Sequence, residues 1–192
     1  PYWIEHHNGN LIMNQHNANR IGVFNPSSET LVEYTVPSRN PNWADCEGIE
    51  YCGVAQVFDF AVAGEKIWFT EWVENNIGVV DTSVPLPIEI QLELDSLTLS
   101  PGDSQSLNFV ISPTLQKDLF GVSLILITTH DFLSIDLTNN TPETFQLDFD
   151  APQPILATIT ASEDATPGTY KVLLGAQSPD IAISKFVTVT IE

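Results

Sequence analysis

The sequence predicts an all-β protein in two parts, a region of repeats followed by a sandwich. Short β-rich runs are punctuated by Gly, Pro, Asn and Asp, and helical periodicity is almost absent. One line of sequence also occurs twice, because Ile21-Gly22-Val23 returns 56 positions later as Ile77-Gly78-Val79. A period of this order, built on alternating strands, is typical of repeat architectures such as the β-propeller.

The repeats span residues 1–84 and predict about two four-stranded blades of a partial β-propeller. The first group has the four strands of one blade, whereas the second stops after three, where Pro85 and Pro87 break the pattern. Many propellers close with a strand from the other end of the chain, so we expect the missing outer strand to come from elsewhere. The predicted strands are Tyr2–His6, Leu11–Gln15, Arg20–Phe24, Thr30–Val36, Val54–Ala61, Lys66–Trp72 and Ile77–Val80.

Residues 85–87 form the predicted linker, since two prolines in three residues interrupt strand pairing. Beyond them Ile88–Leu94 alternates between apolar and polar residues. Seven or eight short, evenly spaced strands predict an immunoglobulin-like β-sandwich over residues 88–192. The other predicted strands are Ser106–Ile111, Val122–Ile127, Phe132–Leu137, Phe145–Phe149, Ala157–Ala161, Tyr170–Ala176 and Ser184–Ile191.

The charge balance limits the classes of partner. Six Lys and Arg residues stand against 25 Asp and Glu, which gives a formal net charge of −19. This balance argues against nucleic acid and against an anionic membrane surface as partners, because both are themselves negatively charged. It favours solubility and attraction of cations.

The two ends predict that the chain is a piece of something larger. It begins at Pro1, inside an apparent strand, and has neither a signal peptide nor an apolar run long enough to cross a bilayer. We therefore expect a cut point at the start. The last strand leaves room for a membrane anchor beyond residue 192.

The first region resembles the repeat of virginiamycin B (streptogramin) lyases, approximately G-x-I-W-F-T-E-x-x-x-N-x-I-G followed by E-Y-x-x-P. The resemblance covers residues 1–81 and implies a propeller with further blades, from the same precursor or from another envelope protein chain, as partners. In the repeat Trp68 and Phe69 are consecutive strand residues, so they face opposite sides and each side is expected to pack on a neighbouring blade. The matching residues are Ile67, Trp68, Phe69, Thr70, Glu71, Asn75, Ile77 and Gly78 in one repeat, and Asn19, Ile21, Gly22, Glu33, Tyr34 and Pro37 in the other.

The second region resembles the Ig-like domains attached to bacterial and archaeal extracellular proteins, with an early S-P-G-D turn and a late P-G-T-Y turn. In this chain those turns are residues 100–103 and 167–170. This resemblance implies an extracytoplasmic location, which means a secreted, periplasmic or cell-surface protein.

The lyase resemblance also implies a candidate active site. Lyases of this family open a cyclic depsipeptide by elimination across a C–O ester bond, with a base and a magnesium ion. Only His16 and Glu71 carry over, His16 as the base and Glu71 as a metal-facing carboxylate. The first repeat has Gln15 where the second has Glu71, and the second has Trp72 where the first has His16. Two functions therefore stay open, a non-catalytic binding or assembly module of the cell envelope and a Mg-dependent lyase.

An insertion at residues 38–53 carries Cys46 and Cys52, the two cysteines of the chain. A disulfide between them is favoured over a zinc site, because two thiolates give too few ligands. Closing so short a loop would stabilise it by roughly 2 kcal/mol. Trp43 and Tyr51 in the same insertion form either a recognition loop or a cap on the end of the repeats.

The remaining candidates lie outside the insertion. Asn139 begins an N-glycosylation sequon, Asn-Asn-Thr, in an expected loop. His6 and His7 are adjacent on a strand and point to opposite faces, so a surface role is favoured over a shared metal ion.

Overall fold

The computed structural model describes residues 1–39, 53–138, 142 and 144–192. Every regular element in these ranges is a β-strand, which confirms the all-β prediction. The described part of the chain contains no helix of the length and apolarity needed to cross a membrane. The chain divides into two compact units, residues 1–85 with Asp180–Ala182, and residues 86–179 with residues 183–192.

The first unit contains two antiparallel β-meanders, in which consecutive strands are neighbours. The first meander has four strands and the second has three. The strands are β1 (Ile4–His7), β2 (Asn10–Gln15), β3 (Arg20–Asn25), β4 (Thr30–Thr35), β5 (Val57–Ala63), β6 (Lys66–Glu71) and β7 (Asn76–Asp81).

The 56-residue repeat has a direct counterpart in the strands of the first unit. β6 begins and ends 56 residues after β2, and β7 begins and ends 56 residues after β3. The turns between them also match, because Asn19 and Asn75 both have left-handed backbones, with φ of 57° and 55°. Asparagine is among the residues that adopt this conformation most readily. The two meanders are therefore repeats of one local structure.

The meanders pack on one another through a single apolar core. Successive strand residues point to opposite faces, so Ile67 and Phe69 of β6 are buried in this core, whereas Trp68 between them is 44% exposed. The Trp68 side is open in the described residues, so its packing on a neighbouring blade stays a prediction. The buried core residues are Ile12, Ile21, Val36, Ala55, Val57, Phe60, Ile67, Phe69 and Val80.

A closed propeller is not present in the described residues, whose sheets are all open. The second meander ends at β7, which pairs within the described ranges only with β6. The strand that would correspond to β4 falls at residues 86–91, and this stretch overlaps a strand of the second unit, β8 (Ile88–Leu92). The chain leaves the repeat at this point because residues 88–92 pair inside the second unit instead.

The second unit has two sheets. One has the order β12-β14-β10-β8, and the other has the order β13-β11-β15-β16, with β9 added beside β16 in parallel. The four-residue strand β9 was not predicted, because Ser-Leu-Thr-Leu is too short to give a clear alternating pattern. The strands after β8 are β9 (Ser96–Leu99), β10 (Ser104–Pro113), β11 (Leu119–Thr128), β12 (Leu133–Leu137), β13 (Thr144–Leu147), β14 (Gln153–Ala161), β15 (Gly168–Gln177) and β16 (Ile181–Ile191).

The strand order of the second unit is that of an immunoglobulin-like sandwich. β8, β10, β14 and β12 take the A-B-E-D positions, and β11, β15 and β16 take the C-F-G positions. The Tyr170 hydroxyl, near the start of the F-position strand, donates to the carbonyl of Thr166 at 2.9 Å. This bond is the tyrosine corner of such domains. The prediction of an Ig-like sandwich is confirmed.

Candidate functional site

The candidate residues of the first unit meet at one end of its two meanders, around the first residue of β5. Asn14 of β2 is completely buried and donates from Nδ2 to the carbonyls of Val57 at 3.0 Å and Phe58 at 2.7 Å. Its Oδ1 accepts from the backbone amides of Tyr2 at 3.2 Å and Trp3 at 2.6 Å. One side chain thus fixes the start of the chain and the start of β5 against β2.

His16 follows the last residue of β2, and its Nδ1 lies 3.0 Å from the Val57 carbonyl oxygen. A carbonyl only accepts hydrogen bonds, so Nδ1 carries the proton in this contact. Nε2 of the neutral ring then keeps a lone pair that can accept a proton or bind a metal. The geometry is compatible with the predicted base, and equally with a histidine that only positions the backbone.

Glu71 is the last residue of β6 and pairs in register with Val57, so both predicted residues adjoin the same residue of β5. Its side chain is 5% exposed. Within the described residues, its Oε2 and the Oε1 of Glu74 are buried oxygens without a hydrogen-bond partner. A carboxylate oxygen left without a partner in this way is a hard ligand of the kind that Mg²⁺ takes.

The same end carries a chain of aromatic rings. The ring centroids of Tyr2 and Phe58 are 5.1 Å apart, and those of Phe58 and Trp72 are 5.0 Å apart. The His16 ring lies 5.8 Å from that of Tyr2. These distances are those of stacked and tilted aromatic pairs. Trp72 is 65% exposed, so the chain of rings ends at the surface.

A cleft of about 350 Å³ opens beside His16. The cleft is lined by Pro1, Tyr2, Gln15, His16, Asn17 and Ala18.

In the described part of the chain, no group of three or more His, Cys, Asp or Glu residues is arranged to hold a metal ion. The residues that could hold Mg²⁺ at this end are therefore limited to the carboxylates of Glu71 and Glu74.

A second feature is the outer face of the β5-β6-β7 sheet, defined by Ala61, Trp68, Ile77 and Val79. The register places Ala61, Trp68 and Val79 side by side across the three strands, and all four residues are exposed. Among the large apolar side chains that the structure describes, Ile77 is the most exposed, at 73%. The sequence did not reveal this exposure, because a strand with apolar residues on both faces is expected to be buried on both.

Several other motif residues have structural partners. Glu33 of the E-Y-x-x-P motif accepts from Arg20 at 3.2 Å and from Gln15 at 2.5 Å. Burial raises the pKa of the neighbouring Tyr34 above its ordinary value. His7 contacts the Gly64 carbonyl at 3.2 Å on the surface. These contacts explain the residues without a catalytic role.

Five of the predicted sites lie outside the described residues, and they remain predictions. They are Cys46, Cys52, Trp43, Tyr51 and Asn139. Asn14 was not singled out from the sequence, because a single buried polar residue in an alternating strand has no pattern of its own. Thr70, 56 positions later, also bonds a neighbouring backbone, since its hydroxyl lies within 3.3 Å of the Asp59 amide and carbonyl.

No known family model matches the sequence, and no curated protein matches it. Solved structures to which the chain is similar include a family 123 glycoside hydrolase from Clostridium perfringens, with 10% identity and a TM-score of 0.40 over 56% of this chain and 27% of that one. Domains 4 and 5 of the S-layer protein SbsC have 8% identity and a TM-score of 0.40, over 73% of this chain and 68% of theirs. The BIgI domain of the S. agalactiae beta protein has 15% identity and a TM-score of 0.33, over 55% of this chain and 96% of that domain.

Proposed function

We propose that this chain is a non-catalytic binding or assembly module that works outside the cytoplasm, at the cell envelope, within a larger chain or complex. The outer face carries the proposal. Trp68, Ile77 and Val79 are 44%, 73% and 47% exposed on one side of one sheet. Contiguous apolar patches on a soluble protein usually mark an interaction site.

Within this proposal the two meanders are adjacent blades of a lyase-like β-propeller. Their shared core, their common 56-residue spacing and their four-stranded and three-stranded order support this assignment. The Ig-like sandwich would act as a spacer or docking domain, and the net charge of −19 is compatible with an acidic surface in an extracellular medium.

Binding of the purified chain to isolated envelopes of the source cells tests this function. We expect saturable co-sedimentation that weakens at least about tenfold in Trp68→Glu, because a charge on the face would have to be desolvated. Phe120→Glu is the matched control, since Phe120 is 65% exposed but lies in the sandwich. Absence of saturable binding by the unmodified chain would overturn the proposal.

The second candidate function is a Mg-dependent carbon–oxygen lyase that opens a cyclic ester. It is favoured by one observation, which is that His16 and Glu71 both adjoin Val57 while a buried Glu71 oxygen has no hydrogen-bond partner among the described residues. Magnesium, when bound, would polarise the ester oxygen. Glu71 would hold the metal and His16 would accept a proton at Nε2.

A depsipeptide-opening assay separates the two functions. Lyase activity in Mg²⁺ that is lost on adding EDTA, and in His16→Ala and Glu71→Gln, would establish the enzyme. Full activity of both variants would exclude this site. A chain that binds envelopes and leaves the depsipeptide intact supports the binding module.

A further inference from the structure

The rings at the end of the two meanders form a surface that packing alone does not explain. This aromatic row consists of Tyr2, Phe58 and Trp72, with successive ring centroids 5.1 Å and 5.0 Å apart. The three residues are 62%, 37% and 65% exposed. Rings that served only the core would be covered, because covering apolar surface is what stabilises a fold. A contiguous group of exposed rings is instead typical of a binding site.

Hydrogen bonds fix the backbone beneath the aromatic row. The buried Asn14 accepts from the Tyr2 amide at 3.2 Å and donates to the Phe58 carbonyl at 2.7 Å. At the other end of the row, the Trp72 amide donates to the Gln56 carbonyl at 3.2 Å. The rings are therefore held in place before a ligand arrives, which lowers the entropy cost of binding.

The row ends at the cleft of about 350 Å³, because Tyr2 lines both of them. Gln15, His16 and Asn17 line the same cleft. An amide side chain has both a donor and an acceptor, and the His16 ring uses Nδ1 for the Val57 carbonyl and keeps Nε2. Ring faces beside such groups suit a ligand that has apolar faces and hydroxyl edges.

We propose that the aromatic row and the cleft bind an uncharged oligosaccharide. The apolar faces of its sugar rings stack on Tyr2 and Trp72, and its hydroxyl groups form hydrogen bonds in the cleft. The spacing of 5.1 Å and 5.0 Å is close to the length of one pyranose unit in an extended chain, so neighbouring sugars meet neighbouring rings. The inference goes beyond the proposed function, because none of these residues defines the outer face.

Charge and ring arrangement disfavour other ligands. The net charge of −19 opposes an anionic glycan or a nucleic acid. A cation needs ring faces that surround it, whereas these rings pack directly on one another at about 5 Å. An apolar protein surface would leave the amide and imidazole groups of the cleft buried without partners, which costs free energy.

Isothermal titration calorimetry of the purified chain with three uncharged sugars, cellohexaose, mannohexaose and chitohexaose, tests the inference. We expect saturable binding of at least one of them. Trp72→Ala should weaken this binding at least about tenfold, because exposed aromatic anchors carry much of the energy of a binding site. Phe120→Ala is the matched control, since Phe120 is also 65% exposed but lies in the sandwich, and it should bind with unchanged affinity.

Two further variants make the test independent of a single substitution. Tyr2→Ala changes the opposite end of the row, should weaken binding to a similar extent, and decides the matter if Trp72→Ala does not fold. Asn17→Ala removes one amide from the cleft and should weaken binding about threefold, which is the effect of one lost hydrogen bond. Circular dichroism establishes which variants are folded.

Three outcomes would overturn the inference. They are no binding of any of the three sugars, unchanged affinity in the folded variants of the row, and tighter binding of a hyaluronan hexasaccharide than of the uncharged ones. Envelope binding that is lost in Trp72→Ala without any sugar binding would identify a protein partner instead. Envelope binding that persists in Trp72→Ala while the sugars fail would leave the proposed function standing.

Discussion

The ring of Phe69 lies across Gly78, its partner in the β6–β7 register, and occupies the space that any larger residue at position 78 would need. The first repeat has the same arrangement, with Met13 lying over Gly22. The Ile-Gly-Val motif thus contains glycine because a bulky cross-strand neighbour covers its Cα. The match to the lyase repeat at these positions is explained by packing.

This packing predicts a difference between two glycine substitutions. Gly78→Ala would place its Cβ inside the rigid Phe69 ring, and we expect it to lower the free energy of unfolding of the first unit by about 1–3 kcal/mol. Gly22→Ala is the matched change, with its Cβ 3.0 Å from the flexible Met13 Cγ, and should cost less. Urea unfolding followed by tryptophan fluorescence measures both, since all four tryptophans lie in residues 1–85. Equal losses would contradict the account.

The two turn asparagines allow a second matched comparison. Asn19 is buried and donates to the carbonyls of Val36 at 2.9 Å and Ser38 at 3.1 Å, while its Oδ1 accepts from the Ala55 amide at 2.9 Å. Its repeat equivalent Asn75 is exposed.

Alanine at either turn position meets the same left-handed backbone strain, because the two φ angles differ by only 2° (57° and 55°). We therefore expect Asn19→Ala to cost about 1–3 kcal/mol more than Asn75→Ala, which is the cost of leaving buried backbone groups unpaired. The difference between their urea midpoints measures this. If the two variants have the same urea midpoint, the buried hydrogen bonds of Asn19 contribute no net stability.

The tyrosine corner predicts the effect of removing one oxygen atom. Tyr170→Phe deletes the 2.9 Å bond to Thr166 while keeping the ring, which packs 4.7 Å from the His130 ring and 5.0 Å from the Phe132 ring. We expect a loss of about 0.5–1.5 kcal/mol in the sandwich. Circular dichroism during thermal unfolding measures it, and Tyr2→Phe, at a side chain that is 62% exposed, is the control. An equal loss of stability in Tyr2→Phe would argue against a stabilising role of the tyrosine corner.

Tyr34 predicts a pH dependence at the alkaline end. Burial raises its pKa above 10.0, so the folded state holds this proton more tightly than the unfolded state does. The resulting stability is fully present below the unfolded pKa of about 10 and is lost as pH rises through the folded pKa. Tyrosinate absorbance should show a late-titrating group in the native protein, and Tyr34→Phe should remove it. If Tyr34→Phe still shows the late-titrating group, that group is not Tyr34.

One part of the candidate site could be predicted from the sequence, and another part appears only in the structure. Spacing placed His16 beside Glu71 in the repeat register, and the fold brings both to Val57. The sequence did not reveal Asn14 as the residue that joins the strands there, because a buried polar residue in an alternating strand has no pattern of its own. Its role depends on which carbonyls the fold brings to it.

Sequence alone determined the all-β class, the sandwich and the duplication at 56 residues, because alternation and turn chemistry act over a few neighbouring residues. Trp68 and Phe69 were assigned to opposite faces for the same reason. Only the tertiary structure decided which of these faces is covered, since burial depends on whether a second sheet lies opposite. Phe69 has such a neighbour in the first meander, and Trp68 remains exposed.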